Sequence, residues 1–193
     1  MRENISSAKT KQRMAKALES LLNTKPIEKI TVSDITDICD MNRQTFYYHF
    51  RDIYDLTKWM FAGFAEKIIG SKIDEGEWHE VFLTTARFMK QKKKVLTGIV
   101  GSIGHRYLTE FIMNTIKPYI KIHILSKAEG MEVPERYTDF LSNYYTLSFS
   151  GLLIEWLITD LDLSTSPEEL LRLLTITIDG SVDKALERYM SGK

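Results

Sequence analysis

The sequence is poor in the residues that staple or break a chain: one cysteine (Cys39), four prolines and ten glycines among 193 residues. A single cysteine excludes an internal disulfide and a four-cysteine zinc site within one chain. There is no net charge either, with 26 Lys plus Arg against 26 Asp plus Glu, so any nucleic-acid surface has to be local. Long apolar runs are missing as well. The longest uncharged stretch, Phe140 to Ile154, contains Ser, Asn and Thr and falls short of the roughly 20 apolar residues that span a bilayer. The N-terminal MRENISSAKTKQRMAKALESLL is charged throughout and has no apolar core of a signal peptide. The expectation is a cytoplasmic protein with no membrane partner. Hydrophobic residues at 44% and charged residues at 27% are globular rather than disordered usage.

Catalytic and metal-binding patterns are also lacking. His79, His105 and His123 have no metal-ligand spacing, and His79-Glu80 is adjacent rather than on one helix face. Gly98, Gly101 and Gly104 (GIVGSIG) have neither a preceding strand nor a following Gly-Lys-Ser/Thr, so they read as helix ends and not as a phosphate loop. Lys90, Lys92, Lys93 and Lys94 read as a solvated corner. No local catalytic set stands out. The chain is therefore expected to be no enzyme and to need no cofactor or metal.

What is there is helical periodicity. Apolar residues recur at spacings of three and four almost throughout, which predicts an all-α chain of about nine helices. The first runs from about Ser7 to Asn23, with Met14, Leu18, Leu21 and Leu22 as its stripe, and Lys25-Pro26 ends it. Thr31 opens a short second helix, with Asp34 in a capping-box position and Val32, Ile35, Ile38 and Cys39 as the expected buried side. Asp40-Met41-Asn42 is a tight turn. Asn42 caps a third helix, Arg43 to Phe50, with Met41 and Phe46 spaced as a hydrophobic staple. Asp52 caps a fourth helix, Ile53 to about Gly70, whose apolar residues on most sides predict burial between two layers. Further helices are expected over Trp78–Lys90, Lys94–Gly101, Arg106–Lys127 (bent at Pro118), Pro134–Asp160, and from Ser166-Pro167 to about Tyr189.

Two short helices joined by a three-residue turn form a helix-turn-helix. The third helix pairs Phe46 and Phe50 on its inner side. Its other face carries Arg43, Gln44, Thr45, Tyr47, Tyr48 and His49, all able to donate a hydrogen bond to a base edge or phosphate. No acidic residue lies between Arg43 and Arg51.

The segment KITVSDITDICDMNRQTFYYHFRDIYDL resembles the DNA-binding segment of the TetR family of transcription regulators, most specifically in TFYYHF followed by a basic residue and Asp. The strong resemblance covers about residues 10 to 58. The stretch from Tyr144 to Leu170 is similar to the C-terminal domain of the subgroup that includes regulators of dihydroxyacetone kinase operons. The resemblance implies a homodimer on double-stranded DNA, with one third helix per subunit in successive major grooves about 34–36 Å apart. It places Arg43, Gln44 and Thr45 at base edges, Tyr47, Tyr48 and His49 at phosphates, and Thr31 and Ser33 at contacts from the second helix. It also implies a helix-turn-helix domain over 1–52 and an effector-binding and dimerisation domain over 53–193.

Two positions depart from the family pattern: Asp40 stands where the turn usually has Gly, and Ile53 where many members have Lys. Asp tolerates the left-handed conformation, and Lys58, one turn on, is the replacement cation. Residues 1–58 hold ten basic and eight acidic side chains, a modest excess that is sharper in residues 1–16. Phe88, His105, Tyr107, Phe111, Tyr144 and Tyr145 are either packed core or, by resemblance, an effector pocket. Phe149, Leu152, Trp156, Leu171, Leu174 and Ile178 are either intrachain packing or, by resemblance, a dimer interface in which Gly151 allows close approach. The expected function is a dimeric, effector-responsive regulator of a palindromic operator, acting as repressor or activator. The alternatives are a co-regulator whose C-terminal domain binds a protein, and an α-helical enzyme or carrier with a vestigial head.

Overall fold

The computed structural model describes residues 5–69, 78–100, 104–159 and 165–192. Among these residues every regular element is helical, as expected: α1 (Ile5–Leu22), α2 (Val32–Ile38), α3 (Arg43–His49), α4 (Ile53–Ile69), α5 (Trp78–Gln91), α6 (Lys93–Ile99), α7 (Gly104–Lys127), α8 (Glu135–Thr159), α9 (Pro167–Ile178) and α10 (Ser181–Met190). The chain divides into two compact units, Met1–Glu66 with Lys92–Phe111, and Lys67–Gln91 with Ile112–Lys193. The N-terminal basic arm falls in part outside the described residues, as do Gly101 and the segment before α5.

In the first unit, α1 buries Met14, Ala15, Ala17, Leu18 and Leu22 along one side, the three-and-four spacing of an amphipathic helix. The amides of Thr24 and Lys25 close onto the Leu21 carbonyl. A single 3-10 turn, Ile27–Lys29, follows Pro26 and buries Ile27 and Ile30; the sequence reading had no element there. Asp52 caps α4 through the Asp55 amide at 2.8 Å. Leu56, Met60, Phe61 and Phe64 are buried, while Lys58 and Glu66 remain in water, so α4 is one-sided in this stretch rather than buried all round. α6 lies against α1. The Lys92 ammonium donates to the Glu19 carboxylate, and at Gly98 an added Cβ would meet the Leu22 carbonyl oxygen at 2.7 Å. Glycine is what lets the two backbones approach here.

In the second unit, α5 packs on α9 and α8 through Trp78, Val81, Phe82, Ala86 and Met89. α8 buries Leu141, Tyr145, Phe149, Leu153, Trp156 and Leu157. Its buried hydroxyls bond back to the helix, Ser142 to the Thr138 carbonyl at 2.7 Å and Thr146 to the Ser142 carbonyl at 2.6 Å, which is how polar side chains enter a core without cost. The Thr85 and Ser150 hydroxyls, also buried, have no such partner. α7 runs through Pro118 without interruption.

One boundary differs from expectation. The helix beginning at Ser166-Pro167 does not continue to Tyr189. Ser166 caps it through the Glu169 amide at 3.1 Å, but it stops at Ile178, and Gly180 at φ 66° turns the chain before α10. Glycine enters that left-handed region freely, and a turn there points α10 in its own direction.

Candidate nucleic-acid interface

The candidate interface is built from its caps upward. Thr31 and Asp34 form a full capping box: the Asp34 amide donates to Thr31 Oγ1 at 3.2 Å, and the Thr31 amide to Asp34 Oδ2 at 2.7 Å. Lys25 Nζ lies 2.9 Å from the same carboxylate oxygen. The Thr31 amide first, then Lys25, hold the Asp34 carboxyl at about 2, below its ordinary 3.8. Within α2, Ile35, Thr36 and Cys39 are buried, but Ile38 is 55% exposed, contrary to the expected inner face. Thr36 takes the inner place because its hydroxyl is satisfied by the Val32 and Ser33 carbonyls, at 3.1 and 3.2 Å.

The corner between α2 and α3 turns on Asp40 at φ 49°, the one non-glycine residue with positive φ among those described. The Met41 amide bonds back to the Thr36 carbonyl at 3.0 Å. The Arg13 guanidinium of α1 donates to the Cys39 carbonyl, so α1 clamps the corner directly. Asn42 then caps α3, its Oδ1 accepting from the Thr45 amide at 2.8 Å and from the Thr45 hydroxyl at 2.9 Å.

Phe46 and Phe50 are buried, their ring centroids 6.0 Å apart, and Phe50 continues to Trp59 of α4 at 6.1 Å. This wedge fixes the rotation of α3 and turns the opposite face out. Arg43 and Gln44 are exposed and Thr45 and His49 half-buried, while Tyr47 is 52% and Tyr48 83% exposed. Thr31 is exposed and Ser33 half-buried at the start of α2. Lys58 is placed differently: its Nζ is 4.0 Å from Glu110 and 5.2 Å above the Tyr107 ring, which itself stacks on Tyr54 at 5.8 Å.

The six residues grouped as a pocket divide between the two units. His105, Tyr107 and Phe111 belong to the first unit, Phe88, Tyr144 and Tyr145 to the second. His105 and Tyr144 face solvent. Tyr145 does line a cavity of about 250 Å³ in the second unit, with Trp78, His79, His123, Phe149, Ile178 and Asp179; nothing in the sequence spacing links those positions. Among the described residues no three His, Cys, Asp or Glu are grouped to hold a metal ion, and no helix is long and apolar enough to cross a membrane.

The residues grouped as a dimer face also divide. Phe149 is buried against Trp78 and Phe82, and Ile178 lines the cavity. Leu152, Trp156 and Leu174 line an open apolar groove with Leu170 and Leu173. Gly151 is exposed, with open space where a Cβ would be, and Leu171 is half-buried. The exposed apolar residues of α8 and α9 are instead Phe140, Tyr144, Leu147, Ile158, Leu173 and Ile176.

Residues 76–180 match the family model TetR_C_8, described as a transcriptional regulator C-terminal region. The chain belongs to the TetR family of transcriptional regulators. The family is one of regulators, not enzymes. The regulator is 29% identical over 84 residues to the "HTH-type dhaKLM operon transcriptional activator DhaS" of Lactococcus lactis subsp. lactis (strain IL1403), a match covering 44% of this chain and 45% of that protein. The matched stretch thus spans under half of that relative's length. Two solved structures share the fold. A "Dihydroxyacetone kinase operon activator DhaS" has a TM-score of 0.69 and 20% identity over 91% of this chain and 97% of its own. A TetR transcriptional regulator from Streptococcus agalactiae 2603V has a TM-score of 0.62 and 20% identity over 90% and 95%.

Proposed function

We propose that this regulator is a homodimer that binds a palindromic operator in double-stranded DNA through α3 of each subunit and responds to an effector in its C-terminal domain. The observation that carries the reading is the orientation of α3. The Phe46–Phe50 wedge is inside and Arg43, Gln44, Tyr47 and Tyr48 stand out from it. In this reading Arg43, Gln44 and Thr45 meet base edges, and Tyr47, Tyr48 and His49 meet phosphates, a division of labour between specificity and positioning. Thr31 and Ser33 touch the backbone from the start of α2. Lys58 serves only if it leaves Glu110.

A two-fold dimer presents two such faces, hence a palindrome. Dimerisation is supported by the exposed Leu147, Ile158, Leu173 and Ile176 beside the groove of Leu152, Trp156 and Leu174, an apolar set that a lone subunit leaves in water. The domain assignment follows: residues 1–52 read, and residues 53–193 pair and sense. An effector changes DNA affinity only by binding one head separation better than another, and α4, which contributes to both units, is the natural lever. The setting is the cytoplasm.

The test is titration of purified protein onto genomic fragments with footprinting. Arg43→Ala with Tyr47→Ala abolishes protection while sedimentation still shows a dimer; unchanged protection removes the assigned reading face.

A second reading, in which the C-terminal domain takes a protein partner, is supported by a run of rings along α8 and α10. Tyr189 stacks on Tyr137 at 4.1 Å, Tyr137 on Phe140 at 6.3 Å, and Phe140 on Tyr144 at 6.5 Å, the last two residues exposed.

A further inference from the structure

The cavity of the second unit has a chemical character that the regulator reading does not assign. It lies among α5, α7, α8 and the α9–α10 joint and measures about 250 Å³. A water occupies about 30 Å³ of liquid, so the space suits about eight or nine non-hydrogen atoms. Its walls are mainly apolar and aromatic, with Trp78 and Phe149 5.1 Å apart and Tyr145 6.1 Å from Phe149.

The polar groups are nearly all committed. The Tyr145 hydroxyl bonds Ser181 Oγ at 2.7 Å. Lys127 Nζ is 3.2 Å from Asp183, so those two charges cancel. His79 stacks on Trp78 at 3.7 Å, and His123 meets the same ring edge-on at 6.3 Å. Asp179, an exposed residue, lines the cavity too, and its carboxylate has no hydrogen bond or ion pair among the described residues. Beyond the Lys127–Asp183 pair, Asp179 is the one carboxylate of the lining. An anionic guest would meet two carboxylates, and an uncharged one would leave Asp179 to water alone. A cation satisfies that carboxylate and is attracted by aromatic faces.

We propose that this cavity binds a small aryl-alkyl primary amine, its ammonium donating to Asp179 and its ring against the Trp78–Phe149 wall. Asp179 and Gly180 form the break between α9 and α10. Thr175 and Ile178 face the cavity, whereas Leu173 and Ile176 of the same helix are exposed. A guest that seats Asp179 therefore fixes the helix that carries the exposed apolar face. As a binding site this stands apart from DNA recognition; as an effector site it rests on the proposed regulator.

The test is calorimetry on the full-length protein without DNA, at neutral pH, with 2-phenylethylamine, 2-phenylethanol and phenylacetate as probes. The amine binds with one-site saturation, and the alcohol and the acid bind at least about tenfold more weakly. Asp179→Asn weakens the amine by about tenfold, the loss of one charge-assisted hydrogen bond. In the wild type, NMR shows the Trp78 indole N–H shifting with amine while that of Trp59 does not, a readout that needs no variant. Absence of saturable heat, equal binding of phenylacetate, an unmoved Trp78 signal or an unaffected Asp179→Asn variant overturns the site. Because DNA is absent, none of these outcomes bears on operator binding. The amine at saturation is then added to the footprinting titration: altered DNA affinity supports the effector role, and unaltered affinity overturns that role.

Discussion

Gly98→Ala sets two effects of opposite sign against each other at the α1–α6 contact. Alanine is favoured over glycine inside a helix by about 1 kcal/mol, so on propensity alone the substitution stabilises. The new Cβ, however, would lie 2.7 Å from the Leu22 carbonyl oxygen, inside the 3.0 Å that real Cβ contacts essentially never breach. That oxygen is backbone at the end of α1 and cannot rotate away as a side chain would. α6 is also held near its start by the Lys92–Glu19 pair, so the helices must separate. Overpacking of this kind costs about 1–3 kcal/mol. The balance is a loss of about 1 kcal/mol, or about 2–4 °C in Tm for a chain of this size. Gly63→Ala is the matched control: it too lies inside a helix, but nothing stands within 4 Å of its added Cβ, and propensity predicts a gain of about 1 kcal/mol. Thermal unfolding followed by far-ultraviolet circular dichroism measures both. A Gly98→Ala protein as stable as the wild type, or shifts of the same sign in both variants, refutes the steric reasoning. Since α1 also presents Arg13 to the Cys39 carbonyl, Gly98→Ala should weaken DNA binding as well, without touching the reading face.

Thr85→Val removes a buried hydroxyl that has no partner and keeps the side-chain shape. It should raise stability by about 1–2 kcal/mol in urea titration. Asp34 has a folded-state pKa of about 2 against an ordinary 3.8. Its contribution is therefore complete above 3.8 and is lost as pH falls through that window towards 2; Asp34→Asn flattens this part of the acid limb, seen as urea midpoints that no longer fall as steeply there. Ile176→Glu with Leu173→Glu places charge on the exposed face of α9 and should yield monomers in sedimentation equilibrium, with α-helical content retained.

The parts legible in the sequence are those governed by local rules. Thr31 with Asp34, Asn42 with Thr45, and Ser166 before Pro167 are caps that act within three residues, and Asp40 is a short polar side chain at a corner that needs positive φ. The wedge of Phe46 and Phe50 needed only the spacing of one helical turn. Ile38 was misplaced because a helix advances by about 100° per residue, and two neighbouring arcs of α2 were both mostly apolar. What chose between them was the self-satisfied hydroxyl of Thr36, invisible to a scale that counts threonine as polar. The break at Gly180 was hidden in a pattern that stays helical on both sides of it. For the grouping of Phe88, His105, Tyr107, Phe111, Tyr144 and Tyr145 the limit is a different one: periodicity tells which face of a helix is apolar, not which other helix will cover it. The residues that do meet around the cavity, Trp78, His123, Tyr145 and Asp179, come from three helices and the α9–α10 joint and share no spacing.

The cap on α3 restricts what the head can say to a base pair. Thr45 spends its hydroxyl proton on Asn42 Oδ1, so on the proposed reading it keeps only lone pairs and a methyl for the groove. It can accept from the amino group of adenine or cytosine, or touch a thymine methyl, but it has nothing to give to the acceptor edge of guanine. If Thr45 does face a base edge there, guanine is disfavoured by a bond made inside the protein before any duplex arrives.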